Sequence, residues 1–432
     1  MRKNLSAEAF EQLVRQVREA AAEEAERVMR EAVRSLEKNP QEWDSAERTA
    51  RDGGLRIGRT ILQGAVQTLG NGYEGSRLAC DCGGALHYVS DRVRSVVSLT
   101  GAFPLRRAYY WCPTCKATRV PLDGRMGIER TDFSPGVRQV IGRLGAVGPF
   151  EQSRQILGEL TGLWISSRTH RLVCERLGQA LATKTSPPVT PLEKPETLYL
   201  LADGAMAPTR QGWREVKVGV AFVARTDSGG KPKRQTTRYF AEILDAEAFG
   251  WRWYALAETL GRPQARRLVV LGDGAVWIWN LAEMHFPGAV QIVDWYHAAE
   301  HLWIVAKAVW GEEHPCAARW VGHAKKYLAN GHVERVLAQI EALPARSKAA
   351  RATVRETIGY FRNNAQRMRY RRFRRQGLFI GSGVVEAGCK HIVGQRLKGS
   401  GMRWSLNGIR DILALRLAVL YGPWPPSCKA AA

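Results

Sequence analysis

Two aspartates follow apolar runs of the same kind. Asp203 stands in "TLYLLADGA" and Asp273 in "RRLVVLGDGA", and a continuous apolar run is typical of a central strand covered on both faces. Two adjacent carboxylates repel one another, but Mg²⁺ or Mn²⁺ between them makes the pair favourable, because these cations prefer hard oxygen ligands. Asp-Gly is also a turn dipeptide, and an aspartate after a strand can simply cap the next helix.

A third carboxylate follows much later in the chain. Glu386 lies in "GSGVVEAG", where Gly381-Ser382-Gly383 opens a helix and a negative charge in the first turn is favoured by the helix dipole. The chain has 69 residues between Asp203 and Asp273 and 112 between Asp273 and Glu386. The candidate residues after Glu386 for binding a phosphate-bearing ligand are Lys390, Arg396, Lys398, Arg403 and Trp404.

Four cysteines have the spacing of metal ligands. Cys80-x-Cys82 and Cys112-x-x-Cys115 bracket 29 residues of alternating pattern around a Thr100-Gly101 turn. This predicts a zinc-ribbon-like hairpin whose thiolates bind structural Zn²⁺. The Cys-x-Cys spacing is short, so His87 could replace one cysteine, and four reduced cysteines without metal are the alternative. The isolated Cys174, Cys316, Cys389 and Cys428 are interpreted as small buried or surface residues.

The elements that must position the carboxylates begin at residue 197. Three predicted strands follow one another, and then strand and helix alternate, ending with the strand in "AVQIVDWYH". That order is typical of an RNase H-like fold, in which the first and fourth strands lie side by side. We therefore expect Asp203 and Asp273, at the ends of those two strands, to face each other.

The fold class predicted for the whole chain is multidomain α/β. One long helix over 6–38, capped by Ser6 and stopped by Asn39-Pro40, packs on its own domain or forms an oligomerising coiled coil. The predicted regions are an N-terminal helical region (1–75), the zinc-ribbon-like domain (76–130), a helix-turn-helix region (131–182), a Pro-rich linker (183–196), the catalytic core (197–311 and 379–425) and an all-helical basic insertion (312–378).

The region over 131–182 has helix-turn-helix spacing around Thr161-Gly162. Arg168, His170 and Arg171 would then lie near the start of the recognition helix, within reach of DNA. An ordinary helical hairpin is the alternative interpretation of this pattern.

The strongly basic composition of the chain indicates a polyanionic partner. The chain has 64 Lys and Arg against 41 Asp and Glu, a net charge of +23, and nucleic acid is the first partner to expect, with an anionic membrane surface as the competitor. Eleven of these cations lie between 346 and 375 with one acid, Glu356. They suit phosphate contacts, with base stacking on interleaved aromatics, unless the run is only a solvated face. The members that we single out are Arg371, Arg372, Arg374 and Arg375, and the aromatics are Tyr360, Phe361, Tyr370 and Phe373.

The sequence has no apolar run near 18 residues and no apolar segment of a secretory signal at its N-terminus. We therefore expect no membrane span and a cytoplasmic, nucleoid-associated location.

Together these motifs resemble bacterial insertion-sequence transposases of the Asp-Asp-Glu type, and within them the Kra-type insertion-sequence family, which is related to Mutator-like transposases. The resemblance rests on the CxC…CPTC region, "LADGA", "LGDGAVWIW", "DWYHAAEHL", "GSGVVEAG" and "GMRW". It implies that Asp203, Asp273 and Glu386 are catalytic ligands of two Mg²⁺ or Mn²⁺ ions. It also implies that Asp294 and His297, in "DWYH", are accessory residues; a satisfied buried pair is the alternative for these two.

The expected function is metal-dependent cleavage at insertion-sequence ends and strand transfer into target DNA. The expected partners are double-stranded DNA, both ends and target, and further copies of the chain, since synapsis of two ends needs at least a dimer. One alternative is a nuclease of the same fold that cuts without joining. Another is a DNA-binding regulator whose nuclease core is inert.

Overall fold

The computed structural model describes residues 6–41, 43–182, 195–422 and 424. The chain divides into two units, one of Met1–Ala180 with Pro423–Ala432 and the other of Leu181–Gly422. Of the predicted linker 183–196, only Pro195 and Glu196 are among the described residues, and Cys428 lies outside them. Within the described ranges, no helix combines the length and the apolar character that crossing a membrane requires.

The first unit contains helices and a small antiparallel sheet. Its helices are α1 (Ala7–Lys38), α2 (Trp43–Gln67), α3 (Pro121–Met126), α4 (Pro135–Val147), α5 (Phe150–Thr161) and α6 (Ser167–Ala182). Its strands, which pair in the order β1-β2-β3-β4, are β1 (Arg77–Ala79), β2 (Ala85–Ser98), β3 (Gly101–Trp111) and β4 (Thr118–Arg119).

The long N-terminal helix is confirmed. The Ser6 side chain accepts a hydrogen bond from the Ala9 backbone N–H at the start of α1, and the helix ends before Asn39. α1 packs against α2, and glycines of α2 allow the close approach: a Cβ on Gly53 would lie 2.3 Å from a methyl group of Val28. The hydrophobic contact of α1 is therefore, at least in part, with the neighbouring helix of its own unit.

The β2–β3 hairpin forms where the sequence predicts it. Ser98 pairs with Gly101 at the tip, and Gly101 has a φ of +112°, a conformation that favours glycine. One side of the hairpin packs on a core of Val96, Phe103, Leu105, Leu122 and Ile128. The other end carries the cysteines, which lie beyond the strand ends.

The second unit is built on a five-stranded sheet. Its strands are β5 (Thr197–Thr209), β6 (Gly212–Thr226), β7 (Pro232–Glu242), β8 (Arg267–Gly272) and β9 (Val290–Val293). The order across the sheet is β7-β6-β5-β8-β9. β5, β6 and β7 pair antiparallel, whereas β5 with β8 and β8 with β9 pair parallel. The predicted adjacency of the first and fourth strands is therefore observed.

Helices connect and follow these strands. They are α7 (Ala246–Glu258), α8 (Val276–His285), α9 (Trp295–Trp310), α10 (Pro315–Ala329), α11 (Val333–Glu341), α12 (Lys348–Asn364), α13 (Tyr370–Arg375), α14 (Gly383–Gly388), α15 (Gln395–Leu397) and α16 (Leu406–Tyr421). Short 3₁₀ turns cover Arg262–Gln264 and Ala365–Met368, and a π-helical turn covers Cys389–Gly394.

One boundary differs from the prediction. β5 does not end at Asp203 but continues to Thr209, because its antiparallel pairing with β6 extends to the Thr209–Gly212 pair. Its parallel pairing with β8 stops earlier, at Leu201 and Leu271. Asp203 thus lies within a strand, two residues beyond the point where the neighbouring strand leaves it.

The segment 312–378 is helical, with α10 to α13 and one 3₁₀ turn. Its aromatic residues differ from the expectation of base stacking. Phe361 and Tyr370 are fully buried and Phe373 is 4% exposed, so their rings form the core of the segment and cannot stack on DNA bases. The segment also packs on α9, where the rings of Tyr370 and Trp295 lie 5.1 Å apart between centroids.

The burial of the central strand β5 predicts that the stability of the protein depends on its packing. Leu200→Ala on β5 should lower the free energy of unfolding by about 2–5 kcal/mol, since Leu200 is fully buried. Met206→Ala on the same strand is the control, because Met206 is 44% exposed, and it should change stability by about 0.5 kcal/mol or less. Urea denaturation of both variants measures the difference, and equal losses would contradict the assignment of β5 as the buried centre.

Candidate active site and metal-binding clusters

Asp203 and Asp273 lie at the same edge of the large sheet. Leu201 and Leu271 are the last paired residues of β5 and β8, and the two aspartates each follow by two positions. Asp203 Oδ1 accepts a hydrogen bond from the Gly204 backbone N–H at 2.7 Å, and Asp273 Oδ1 accepts one from that of Ala275 at 2.8 Å. Both side chains are partly exposed, so oxygen atoms remain available to a ligand.

Asp294 lies at the end of the next strand and is fully buried. Its backbone N–H donates to the Gly272 carbonyl at 2.7 Å, which fixes it beside Asp273. Asp294 is the N-cap of α9. Its Oδ1 accepts hydrogen bonds from the His297 backbone N–H at 2.7 Å and from His297 Nδ1 at 3.2 Å. Asp294 and His297 are therefore hydrogen-bonded to each other, which the alternative interpretation as a satisfied pair also expects.

Ser382 connects Glu386 to this pair. The Ser382 backbone N–H donates to Asp294 Oδ2, and its hydroxyl donates to Glu386 Oε1 at 2.7 Å. The Trp295 backbone N–H also donates to the Ile380 carbonyl at 2.9 Å. Ser382 precedes α14, as the "GSG" sequence predicts. Glu386 is exposed, so its carboxylate is held at one oxygen while it faces solvent.

The ligand atoms of Asp294, His297 and Glu386 all lie within 4.8 Å of one another, close enough to bind one metal ion. Among the described residues, Asp203, Asp273 and Glu386 do not form a cluster as tight as this one. Two carboxylates and one imidazole suit a divalent transition-metal ion such as Mn²⁺. The side chains of Asp203 and Asp273 present further carboxylate oxygens, the ligand type that hard divalent cations prefer, at the same sheet edge.

Electrostatic effects join the five residues into one site. Burial raises the pKa of Asp203, and the negative charge of Asp273 raises it further, against hydrogen bonds and the charge of His297, which lower it. The hydrogen bond to Asp294 raises the pKa of His297 to about 9, helped by the charges of Asp294, Asp273 and Glu386. Burial opposes ionisation of Asp294, but the bonds from His297 and Ser382 bring its pKa below the usual range.

Three functional contacts were not predicted from the sequence. Cys389, interpreted as an isolated residue, donates its thiol to Asp203 Oδ2 at 3.4 Å. The hydroxyl of Tyr360 donates to the backbone carbonyl of Asp273 at 2.7 Å. The Ser382 hydroxyl donates to Glu386 Oε1, as described above. Cys389 stands three positions after Glu386, a helical spacing that puts both on one face, and this was the available signal.

The four cysteines meet as the spacing predicts. Sγ of Cys80 lies 3.5 Å from both Cys115 Sγ and Cys82 Sγ, and Cys82 Sγ lies 3.7 Å from Cys112 Sγ. Backbone N–H groups of Cys115 and Thr114 lower the pKa of Cys112 to about 6, which favours the metal-binding thiolate. His87 is not a member of this cluster. The group could therefore hold a metal ion such as zinc with cysteine alone.

Most of the cations predicted to bind DNA are exposed. The exposed ones are Arg168, Arg371, Arg372, Arg374, Arg375, Lys390, Lys398 and Arg403. Arg171 forms an ion pair with Glu175 on the same helix at 3.0 Å, and Arg374 donates to the Ala329 carbonyl.

Three residues that were predicted to contact DNA are buried instead. His170 is fully buried, with its ring centroid 5.9 Å from that of Phe150. Trp404 is 8% exposed, donates its indole N–H to the Leu397 carbonyl at 3.1 Å and packs under the Arg396 guanidinium at 4.9 Å. Arg396 itself is 1% exposed, so it cannot contact phosphates. The side chains of His170, Arg396 and Trp404 all face the protein interior, where packing decides the residue type.

The cysteine cluster predicts metal content. Cys115→Ser should lower the zinc bound by the purified protein and destabilise the β1–β4 sheet, because a hydroxyl is a poor substitute for a thiolate ligand. Cys316→Ser is the control, since Cys316 belongs to neither metal-ligand cluster of the described residues. Elemental analysis of both variants measures the effect. A wild-type protein without zinc would contradict the prediction.

Comparison with known proteins identifies relatives. The model of a family described as "Uncharacterised protein family (UPF0236)" matches residues 85–424. A protein of Streptococcus gallolyticus, "UPF0236 protein in vanSb 3'region", is 33% identical over 86 residues, which are 20% of this chain and 19% of the relative. The match thus spans about a fifth of the relative's length. The family model covers well over half of the chain, and the protein therefore belongs to the Uncharacterised protein family (UPF0236).

Proposed function

We propose that the protein is a DNA transposase of the Asp-Asp-Glu type with an RNase H-like core. The observation that carries this proposal is the convergence of Asp203, Asp273, Asp294, His297 and Glu386 at one edge of a sheet with the order β7-β6-β5-β8-β9. The reaction would cut DNA at insertion-sequence ends and transfer the strands into target DNA.

The potential metal-ligand atoms around this edge suit divalent cations, and Asp203, Asp273 and Glu386 are the proposed catalytic ligands. Asp294 and His297 complete the set at Glu386. Bound Mg²⁺ or Mn²⁺ would activate the attacking oxygen and stabilise the leaving one at a phosphodiester. The residues of the chain orient these ligands: Ser382 holds one oxygen of Glu386 and leaves the other available, and Asp294 keeps the imidazole of His297 in place.

The helical segment 312–378 offers a surface for the DNA backbone. Arg371, Arg372 and Arg375 line a cavity of about 480 Å³ together with amide side chains, Asn330, Gln366 and Gln376. Guanidinium groups bind phosphates through paired hydrogen bonds, and amides can donate to further oxygens. In this proposal double-stranded DNA is the partner of this surface, and Lys390, Lys398 and Arg403 add contacts after Glu386.

The first unit would recognise the transposon ends. The cysteine-bearing hairpin, with structural zinc, and the helices α5 and α6, acting as a helix-turn-helix, carry that role, with Arg168 and Arg171 on α6 at the DNA. The chain would act as a dimer or larger homo-oligomer, because two ends must be joined in one complex, in the bacterial nucleoid.

Two other functions share parts of this site. A metal-dependent nuclease would cut DNA without joining strands, and an assay with paired ends separates it from a transposase. A DNA-binding regulator with an inert core would not require acidic residues at the sheet edge. The presence of all three acids beside Asp294 and His297 favours an active enzyme over the regulator.

Replacing Asp273 tests the catalytic proposal. Asp273→Asn retains an acceptor for the Ala275 N–H, so folding and end binding should persist. If Asp273 is a metal ligand, cleavage of a labelled transposon end in Mg²⁺ or Mn²⁺ should fall by orders of magnitude, because metal stabilisation supplies several kcal/mol and about 1.4 kcal/mol is a factor of ten. Asp203→Asn and Glu386→Gln should behave alike, and double variants should be little worse than single ones.

The matched control is Asp245→Asn. Asp245 is an exposed helix cap that accepts from the Ala248 N–H at 2.8 Å, so the same chemical change there should leave cleavage unchanged. Cleavage near the wild-type rate in Asp273→Asn would show that Asp273 is a turn residue and not a metal ligand. It would remove the main support for the proposed enzyme.

The arginine surface has its own test. Replacing Arg371, Arg372, Arg374 and Arg375 with Ala should weaken DNA binding and flatten its salt dependence, by up to about 0.9 in the log–log slope for each DNA phosphate that the protein no longer neutralises. Lys at the same four positions keeps the charge and should keep most of the slope. Fluorescence anisotropy at several salt concentrations measures both variants, and an unchanged slope in the Ala variant would identify the run as a solvated face.

A further inference from the structure

Tyr360 of the helical segment contacts the backbone that carries Asp273. Its hydroxyl donates to the Asp273 carbonyl at 2.7 Å across 87 positions of sequence. The ring also lies on the following residue: a Cβ built on Gly274 would come within 2.5 Å of the Tyr360 ring. α12 therefore touches the candidate active site directly, at the turn that follows β8.

The Asp273 turn, residues 272–275, depends on contacts from outside itself. Gly274 has a φ of +109°, which side-chain-bearing residues rarely adopt. Asp273 precedes α8 without belonging to it, and its side chain makes one hydrogen bond, to the Ala275 N–H, in the described structure. A turn of this kind is held by few local bonds, so an added hydrogen bond at its carbonyl restricts it.

Tyr360 is itself held firmly. Its ring stacks on His301 of α9, with 3.7 Å between ring centroids and 23° between planes. Burial raises the pKa of Tyr360, so the hydroxyl stays protonated and remains a donor. One turn beyond α12, Arg367 lies 4.7 Å over the Trp279 ring of α8 and donates to Gln291 Oε1 of β9 at 2.6 Å. The segment is thus attached to α8 and β9, which both follow the turn.

We infer that Tyr360 is a positioning residue that holds the Asp273 turn, so that the helical segment supports the catalytic site as well as contacting DNA. The catalytic part of this inference rests on the proposed function. The hydroxyl fixes the carbonyl of Asp273, and the ring covers Gly274. The carboxylate is thereby kept at the sheet edge opposite Asp203. The segment 312–378 would then be required for cleavage even on DNA that is bound by other surfaces.

Tyr360→Phe removes this hydrogen bond and keeps the ring and its stacking on His301. The Mn²⁺ concentration for half-maximal cleavage should rise roughly 2- to 12-fold, the effect of removing one hydrogen bond, while DNA affinity stays unchanged. Amide hydrogen exchange, followed by mass spectrometry, should become faster by a similar factor in peptides covering 272–276 and nowhere else.

Tyr370→Phe is the matched control. Tyr370 is a fully buried tyrosine of the same segment whose hydroxyl has no hydrogen-bond partner among the described residues. Its variant should leave both the Mn²⁺ dependence and the exchange of the turn at wild-type values. Equal behaviour of the two variants in both measurements would overturn the inference.

The exchange measurement also separates this inference from the proposed function. A wild-type protein that does not cleave DNA would refute the enzyme, whereas local exchange at 272–276 would still decide whether Tyr360 holds the turn. If Tyr360→Phe loses stability as a whole, His301→Ala removes the stacking partner instead. Faster exchange confined to the turn in that variant supports the inference, and unchanged exchange there overturns it.

Discussion

The candidate site depends on the buried carboxylate of Asp294. It begins α9, orients His297 and binds the backbone of Ser382, which in turn holds Glu386. A carboxylate without solvent contact is costly unless its oxygens are hydrogen-bonded, and here both oxygens have partners. Because those partners come from the helix after β9 and from a segment 88 positions later, satisfying one buried charge brings Glu386 to the sheet.

The sheet supplies the other constraint. Parallel pairing of β5 with β8 and of β8 with β9 brings the paired stretches of these three strands to an end at one edge of the sheet. An aspartate stands just beyond the paired stretch of each strand. Antiparallel pairing carries β5 past this point, so Asp203 is fixed in a strand while Asp273 lies in a turn. Asp203 is held by strand pairing and is contacted by the Cys389 thiol, whereas the turn of Asp273 is contacted by Tyr360.

The helical segment therefore has two kinds of residue. Its buried aromatic rings, among them Phe361 and Tyr370, pack inside the segment and against α9. Tyr360 and Arg367 attach the segment to the turn after β8 and to β9. Among its exposed arginines, Arg371, Arg372 and Arg375 line a cavity that suits phosphates. Some of the cationic side chains behind the net charge of +23 therefore make internal contacts. Only the exposed ones are available to bind a polyanion.

The sequence by itself determined the strands, the adjacency of β5 and β8, the long N-terminal helix and the cysteine cluster. The strands, the helix and the cysteine cluster follow from local patterns: apolar runs, a cap with a helical period, and the spacing of ligands around one hairpin. The adjacency of β5 and β8 follows from the order of the elements along the chain. Only the tertiary structure decided that Asp294, His297 and Glu386 form the tight cluster, that Cys389 and Tyr360 contact the two aspartates, and that His170 and Trp404 are buried. A pattern along the chain records which residues are apolar, but the neighbour of a side chain from a distant element is fixed by packing.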